Sequence, residues 1–219
     1  MHITVKNLLN IKNKIKSKVN ELKYDYYPQI IAISKTFPMT HIMPLIDSGH
    51  IHFGENKVQE ALTKWKKIKS NNKNLKLHMV GKLQTNKVKF ALQIFDFIHS
   101  LDNIKLAKKM SNEQKKYSNK PKIFIQINIG NENQKSGVNE SDLLDFYNQC
   151  KKLDLDIIGT MCLPPVNQDA NIFFSKMKNI NYDLNLKELS IGMSDDFLKA
   201  IECSSTYLRI GSKLFGQRD

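Results

Sequence analysis

Two cationic residues in this chain have the type and setting to act on a ligand. The first is Lys35, at the end of the run Gln29-Ile30-Ile31-Ala32-Ile33-Ser34-Lys35-Thr36, which lies between Pro28 and Pro38. The run is short, apolar and partly β-branched, and it predicts a buried strand over 29–35. Side chains alternate along a strand, so Ile31, Ile33 and Lys35 share one face, and a core-facing Ile31 and Ile33 put Lys35 at the rim. An ammonium held against an apolar wall is disfavoured, so its pKa should fall, and a neutral amine condenses with carbonyls to a Schiff base. Nearly all other lysines of the chain are expected as solvated surface charges, so position rather than residue type singles out Lys35. The second is Arg209. Of the 34 lysines and arginines only two are arginines, Arg209 and Arg218. Lysine serves wherever a generic positive charge suffices. An arginine inside an apolar strand therefore points to a planar fork and a proton that is never surrendered, set against the plainer reading of a structural ion pair.

Two further stretches have the chemistry to cradle an anion. Gly192-Met193-Ser194-Asp195 and Gly211-Ser212 each join a glycine, which lets the backbone approach closely, to a serine hydroxyl donor. Ser194 is also expected to precede a helix, where free N–H groups attract anions and a serine commonly serves as N-cap. Gly211 has the alternative of a simple turn after the last strand. Tyr207, Arg209 and Gly211 share a parity and should point to one side of that strand. A lysine for an aldehyde, an arginine for a ring nitrogen and a phosphate cradle together describe a pyridoxal phosphate site.

Positioning these groups requires a scaffold, and the chain alternates helical and strand-like patterns throughout. Helical patterns fall at about 5–24, 40–48, 56–69, 85–93, after an N-cap at Asp102, and at 141–153, 171–180 and 196–203. Strand patterns fall between them at 29–35, 49–54, 75–81, 95–101, 122–129, 156–161, 189–193 and 206–210. Eight strands separated by helices in 219 residues predict a single (β/α)8 TIM barrel over 1–219. The competing open doubly wound sheet lacks a G-x-G-x-x-G after its first strand. In the barrel, working groups lie at the C-terminal ends of strands, and phosphate binds at the loops after strands seven and eight. The rim is then expected to hold Lys35, Glu55, Asn56, residues 81–84, Asp102, Asn128, Met161, Ser194, Arg209, Gly211 and Ser212.

Composition narrows the class. A hydrophobic share of 41% and a charged share of 25% are ordinary for a soluble globular domain. No apolar run is long enough to span a membrane. Cys150, Cys162 and Cys203 are odd in number and far apart, which argues for reduced structural thiols and against a disulfide framework or a zinc site. The net charge of +13 is spread along the chain among asparagines, with no aromatic-interleaved basic motif, so nucleic-acid binding is the minority reading. The basic N-terminus lacks arginine and a signal-peptide core, and Leu8, Ile11, Ile15, Val19 and Leu22 recur there at helical spacing.

A set of ordered blocks carries a family resemblance: Ala32-Ile33-Ser34-Lys35-Thr36, Phe53-Gly54-Glu55-Asn56-x-x-Gln59-Glu60, His78-x-x-Gly81-x-Leu83-Gln84-x-Asn86-Lys87, Lys135-Ser136-Gly137, Leu189-Ser190-x-Gly192-Met193-Ser194-Asp195-Asp196 and Arg209-Ile210-Gly211-x-x-x-Phe215-Gly216. In these the chain resembles the pyridoxal phosphate homeostasis proteins, also known as the proline synthetase co-transcribed type. The resemblance implies a barrel of the alanine racemase N-terminal type. It implies that Lys35 holds pyridoxal 5'-phosphate as an imine, that Arg209 faces the pyridine nitrogen, that Ser194, Gly211 and Ser212 hold the phosphate, and that Asn56 is a neighbour of the cofactor. It departs from the family in having Ser212 where threonine is usual, which keeps the hydroxyl, and in a short stretch after Pro164-Pro165. It further implies a cytoplasmic monomer that buffers the cofactor and so amino- and keto-acid balance, with apo-enzymes that use this cofactor as partners. The alternative is an amino-acid racemase or related lyase. Racemases of similar barrel type bring a second acid/base from an added β domain and a dimer partner, and this chain is expected to lack that domain. Arginine cannot protonate the ring nitrogen, so the non-catalytic role is the expected one.

Overall fold

In a computed structural model of the chain, which describes residues 1–117, 120–132 and 134–217, eight parallel strands close into a barrel in sequence order. Arg218 lies outside the described residues. The strands are β1 (Gln29–Ile33), β2 (His52–Glu55), β3 (Lys76–Met79), β4 (Phe97–Leu101), β5 (Lys122–Ile127), β6 (Ile157–Cys162), β7 (Glu188–Ser190) and β8 (Tyr207–Ile210). The helices are α1 (Ile3–Glu21), α2 (Met39–Asp47), α3 (Val58–Asn71), α4 (Val88–Ala91), α5 (Ile104–Gln114), α6 (Leu143–Lys152), α7 (Ala170–Asp183), α8 (Phe197–Glu202) and α9 (Ser212–Phe215). The ring closes where β1 meets β8, pairing Gln29 with Tyr207 and Ala32 with Ile210.

Strand alternation sorts the sequence into two cores. Ile30, Ala32, Phe53, Leu77, Ile98, Ile123, Ile125, Leu189, Leu208 and Ile210 point outward and pack under the helices. Those helices present matching stripes, such as Leu8, Ile11, Ile15 and Val19 on α1 and Val58, Ala61 and Trp65 on α3. Ile31, Ile33, Phe97, Phe124, Met161 and Tyr207 point inward and fill the barrel. The expected parity of β1 and β8 thus holds, with Ile31, Ile33 and Tyr207 inside. Gly54 fits this interior because a Cβ there would come within 2.6 Å of Ile33 Cδ1 and 2.9 Å of Ile31 Cγ2.

The element boundaries differ from the sequence expectation at two places that matter. β1 ends at Ile33, so Lys35 stands in a turn just beyond the strand. The N-cap of α5 is Asn103, whose Oδ1 accepts from Leu106 N at 2.9 Å. Asp102 instead accepts from Asn103 Nδ2 at 2.6 Å, one residue too early to reach the helix donors. Among the described residues no helix is long and apolar enough to cross a membrane, and no cluster of ligating side chains is placed to hold a metal. The three cysteines are free and buried, and burial pushes the Cys150 and Cys162 thiols up to about 12.

Candidate functional site

The turn that carries Lys35 is held from both sides. Ser34 Oγ donates to Glu55 Oε1 at 2.8 Å, and Lys64 Nζ donates to the Ser34 carbonyl at 2.9 Å. On the other flank Thr36 N donates to Glu60 Oε1 at 2.7 Å. Thr36 has φ 69°, a left-handed conformation that a β-branched residue rarely adopts, so this bond holds a strained backbone in place. Lys64 ties the two carboxylates together, 3.0 Å from Glu55 Oε1 and 3.0 Å from Glu60 Oε1. Burial raises the Glu60 carboxyl, but the Thr36 N–H and the Lys64 ammonium outweigh it and leave the pKa below its ordinary value. Glu55 is fully buried and also accepts from Trp65 Nε1 at 2.9 Å. Removing that carboxylate strands the buried indole N–H, leaves the Ser34 hydroxyl only a long 3.3 Å bond to the Gly54 carbonyl, and takes one of two carboxylates from the Lys64 ammonium. Glu55→Ala is therefore expected to cost about 3 kcal/mol of stability, read by urea denaturation; a loss within measurement error would show that the clamp carries no energy.

Arg209 lies inside the barrel and is only 5% exposed. Its Nη1 donates to the Ser190 carbonyl at 2.6 Å and to Ser190 Oγ at 2.8 Å, and its Nη2 donates to the Cys162 carbonyl at 2.7 Å. No carboxylate pairs with it among these bonds, so the ion-pair alternative is not what buries it. Burial pulls the guanidinium below its usual pKa, from so high a start that it stays charged.

Ser194 does not cap α8, whose N-cap is Asp196. Its Oγ accepts instead from Gly211 N at 3.2 Å and Lys213 N at 3.3 Å, which joins the loop after β7 to the loop after β8. With its lone pairs so engaged, the hydroxyl has its proton left to give. Gly192, in the same loop, has φ +88°, and a Cβ there would lie 2.4 Å from Ala200 Cβ, so glycine lets this loop pack closely on α8. Gly211 is different. Its backbone is not left-handed, and a Cβ would meet Ile33 at an ordinary 3.5 Å.

These groups meet around one cavity of about 530 Å³ at the C-terminal mouth. It is lined by Ile33, Lys35, Val80, Met193, Ser194, Asp195, Arg209, Gly211, Ser212, Gly216 and Gln217. Five of the six expected site residues are there, with an amine at one wall, a guanidinium at the base and hydroxyls at the lip. That donor set fits an anionic, ring-bearing carbonyl compound. Asn56 is not in this lining. It borders a neighbouring cavity with Gln84 and Lys87, packed against Gly81, where a Cβ would fall 2.4 Å from the Asn56 carbonyl oxygen. Its Oδ1 is buried without a hydrogen-bond partner among the described residues. Asn128 borders a third cavity, with Gly81, Lys135 and Ser136. Met193 and Asp195 belong to the stretch expected to cradle an anion, whereas sequence reasoning missed Val80 and Gln217 in the lining and the Glu55–Lys64–Glu60 clamp. The i, i+4 spacing of Glu60 and Lys64 on α3 was the available signal for the clamp.

The fold and cavity define a class: a (β/α)8 barrel with a lysine, a buried arginine and an anion cradle at its C-terminal mouth. A model of the alanine racemase N-terminal domain matches residues 7–219. The pyridoxal phosphate homeostasis protein of Pasteurella multocida strain Pm70 is 35% identical over 226 residues, covering 97% of each chain. That of Escherichia coli K12 is 31% identical over 226 residues, covering 97% of this chain and 96% of its own. This chain belongs to the pyridoxal phosphate homeostasis proteins, within the alanine racemase N-terminal domain family. Among solved structures, PipY of Synechococcus elongatus PCC7942 with PLP bound superposes with TM-score 0.80 at 31% identity, over 92% of this chain and 100% of that one. The alanine racemase of Clostridium difficile 630 superposes with TM-score 0.73 at 15% identity, over 99% of this chain and 57% of that one, and shares the fold.

Proposed function

We propose that this protein binds pyridoxal 5'-phosphate in the cavity at the C-terminal mouth and holds it in reserve as a cytoplasmic, monomeric cofactor buffer, with apo-enzymes that use the cofactor as recipients. The observation that carries this reading is the convergence of Lys35, Arg209, Ser194, Gly211 and Ser212 on one cavity. When bound, the cofactor supplies an aldehyde that condenses with an amine and a ring that withdraws electrons. Lys35 provides the amine from a turn held rigid by Glu55, Lys64 and Glu60. Ser194, the Gly211 backbone and Ser212 receive the phosphate, and Asn56 is a neighbour outside the lining. Arg209 meets the ring nitrogen.

The residues favour holding over turnover. Arg209 donates hydrogen bonds but does not part with a proton, so the nitrogen it meets is not made cationic. Besides the Lys35 amine and the Arg209 guanidinium, the acid/base group lining the cavity, among the described residues, is the Asp195 carboxylate. Its carboxylate is 96% exposed and sits 3.6 Å from Lys213 Nζ, on the solvent side of the lip. A two-base exchange at a substrate carbon needs a second group buried opposite the lysine.

The test is a titration followed by an exchange assay. Pyridoxal phosphate should bind with one site per chain, and inorganic phosphate should compete. The loaded protein should then leave the α-hydrogen of alanine, serine and a panel of other amino acids unexchanged in deuterium oxide. Saturable exchange of any of them would establish the racemase or lyase reading instead; failure to bind would remove both.

A further inference from the structure

Behind Arg209 the barrel interior holds a column of polar side chains that the reading above does not use. His52 Nδ1 lies 2.9 Å from His78 Nε2, His78 Nδ1 lies 2.9 Å from His99 Nε2, and His99 Nδ1 lies 2.9 Å from Ser190 Oγ. Ser190 Oγ in turn accepts from Arg209 Nη1. The register explains the climb. Gly54 pairs with His78, and His78 pairs with Phe97, so each histidine stands two residues further along its strand than the one before. Aromatic rings wall the column: Phe97 stacks on His78 and Phe124 on His99, both with centroids 4.2 Å apart. His78, His99 and Ser190 are fully buried, and only His52 is partly exposed, at a cavity of about 390 Å³ on the opposite mouth.

Proton counting gives this column one direction. A neutral imidazole has one N–H and one acceptor nitrogen, and each contact accommodates a single proton. If His52 donated upward, every later ring would donate upward too. Ser190 Oγ would then accept from both His99 and Arg209, and its own buried proton would have no acceptor among the described residues, at the cost of an unsatisfied donor. In the opposite direction every group is satisfied. Ser190 donates to His99 Nδ1, His99 Nε2–H to His78, His78 Nε2–H to His52, and His52 Nε2–H faces the open cavity.

We propose that His52, His78, His99 and Ser190 are positioning residues for Arg209: a one-way hydrogen-bond column in which all three imidazoles are neutral and protonated on Nε2, so that Ser190 always turns a lone pair to the guanidinium. Three of the five guanidinium N–H groups are thereby committed to Ser190 and Cys162, and the remaining two are left for the cavity. The proposal rests on the reading that this cavity takes the cofactor, because only then does the aim of the guanidinium matter. Burial, joined by the Arg209 charge at His99 and by neighbouring histidines at His78, lowers both pKa values well below the usual range, in keeping with neutral rings.

The first arm of the test needs no cofactor. Long-range 1H–15N correlation spectra of the histidine-labelled, cofactor-free protein at neutral pH should show His52, His78 and His99 as neutral rings with the proton on Nε2. A proton on Nδ1 in any of the three, or a doubly protonated ring, overturns the column whether or not pyridoxal phosphate binds. The second arm is Ser190→Ala. The Nδ1–H form should appear in the three histidines, cofactor affinity should fall about tenfold, and the absorption maximum of the bound cofactor should shift. Unchanged tautomers together with an unchanged cofactor spectrum would reduce the column to core filling. A wild type that takes up no cofactor while showing the expected tautomers would instead sink the proposed function and leave the column standing.

Discussion

Replacing Lys35 with alanine should abolish covalent capture of pyridoxal phosphate. Borohydride reduction of the loaded wild-type protein is expected to leave one pyridoxyl group on the peptide containing Lys35, with an absorption band in the unreduced protein that Lys35→Ala lacks. Retained binding in the variant should be weaker by at least about a hundredfold, since only the phosphate and ring contacts remain. Lys35→Arg separates charge from nucleophilicity: it keeps the cation at the rim but cannot condense with an aldehyde, so it should lose the band as completely as alanine does. Both variants should stay folded, because the clamp holds Ser34 and Thr36 through Ser34 Oγ, the Ser34 carbonyl and the Thr36 N–H. A label that maps to another lysine, such as Lys213, whose Nζ lies 3.6 Å from Asp195 Oδ1, would remove the assignment while leaving the cavity intact.

The second large effect is on stability in mild acid. His50, His52, His78 and His99 all have folded-state pKa values below the ordinary imidazole value of 6.5, with burial as the leading cause in each; His50 and His52 are lowered to about 4, the other two well below 6.5. The sign follows directly. Below 6.5 the unfolded chain takes up protons that the folded chain refuses, so stability is intact above that pH and is lost as pH falls through it. Each histidine contributes up to about 1.4 kcal/mol per pH unit, and four together up to about 5.5. The paired Glu60 has a lowered pKa and weakens the fold only below the ordinary glutamate value of 4.5, so the loss that begins near pH 6 belongs to histidine. Urea midpoints measured from about pH 8 down to about pH 5 should therefore fall steeply over the lower part of that range. His50→Gln keeps a donor for the His52 carbonyl and should make the fall shallower by about one proton's worth. A midpoint that stays level to pH 5 would mean that the barrel interior admits water and that these rings titrate normally.

Much of the site was legible in the residues because alternation and periodicity are local. The β-branched run before Lys35 announces a strand whatever surrounds it, and the shared parity of Tyr207, Arg209 and Gly211 follows from the pleat alone. The order of eight strands and the placement of Lys35, Ser194, Arg209, Gly211 and Ser212 at one mouth then follow from the barrel, whose C-terminal strand ends converge. Ser194 marks where this reasoning stops. Its type and place suit a helix cap, yet its hydroxyl spans to the backbone of Gly211 and Lys213, a choice made by the approach of two loops. Asn56 follows β2 as its position in the chain requires, but the packing of Gly81 against its backbone sets it beside the neighbouring cavity.

The chain by itself thus determined its strands, the shared faces of the first and last of them, and the two cations that meet at the mouth, since these depend on bond geometry and on which side chains water excludes. Only the closed ring decided what those inward faces touch. His52, His78 and His99 each occupy an inward position on successive strands, a pattern present in the sequence, but they stand 26 and 21 positions apart along the chain. Their contact arises from the stagger between neighbouring strands, a property of how the sheet shears as it closes and of no single segment within it.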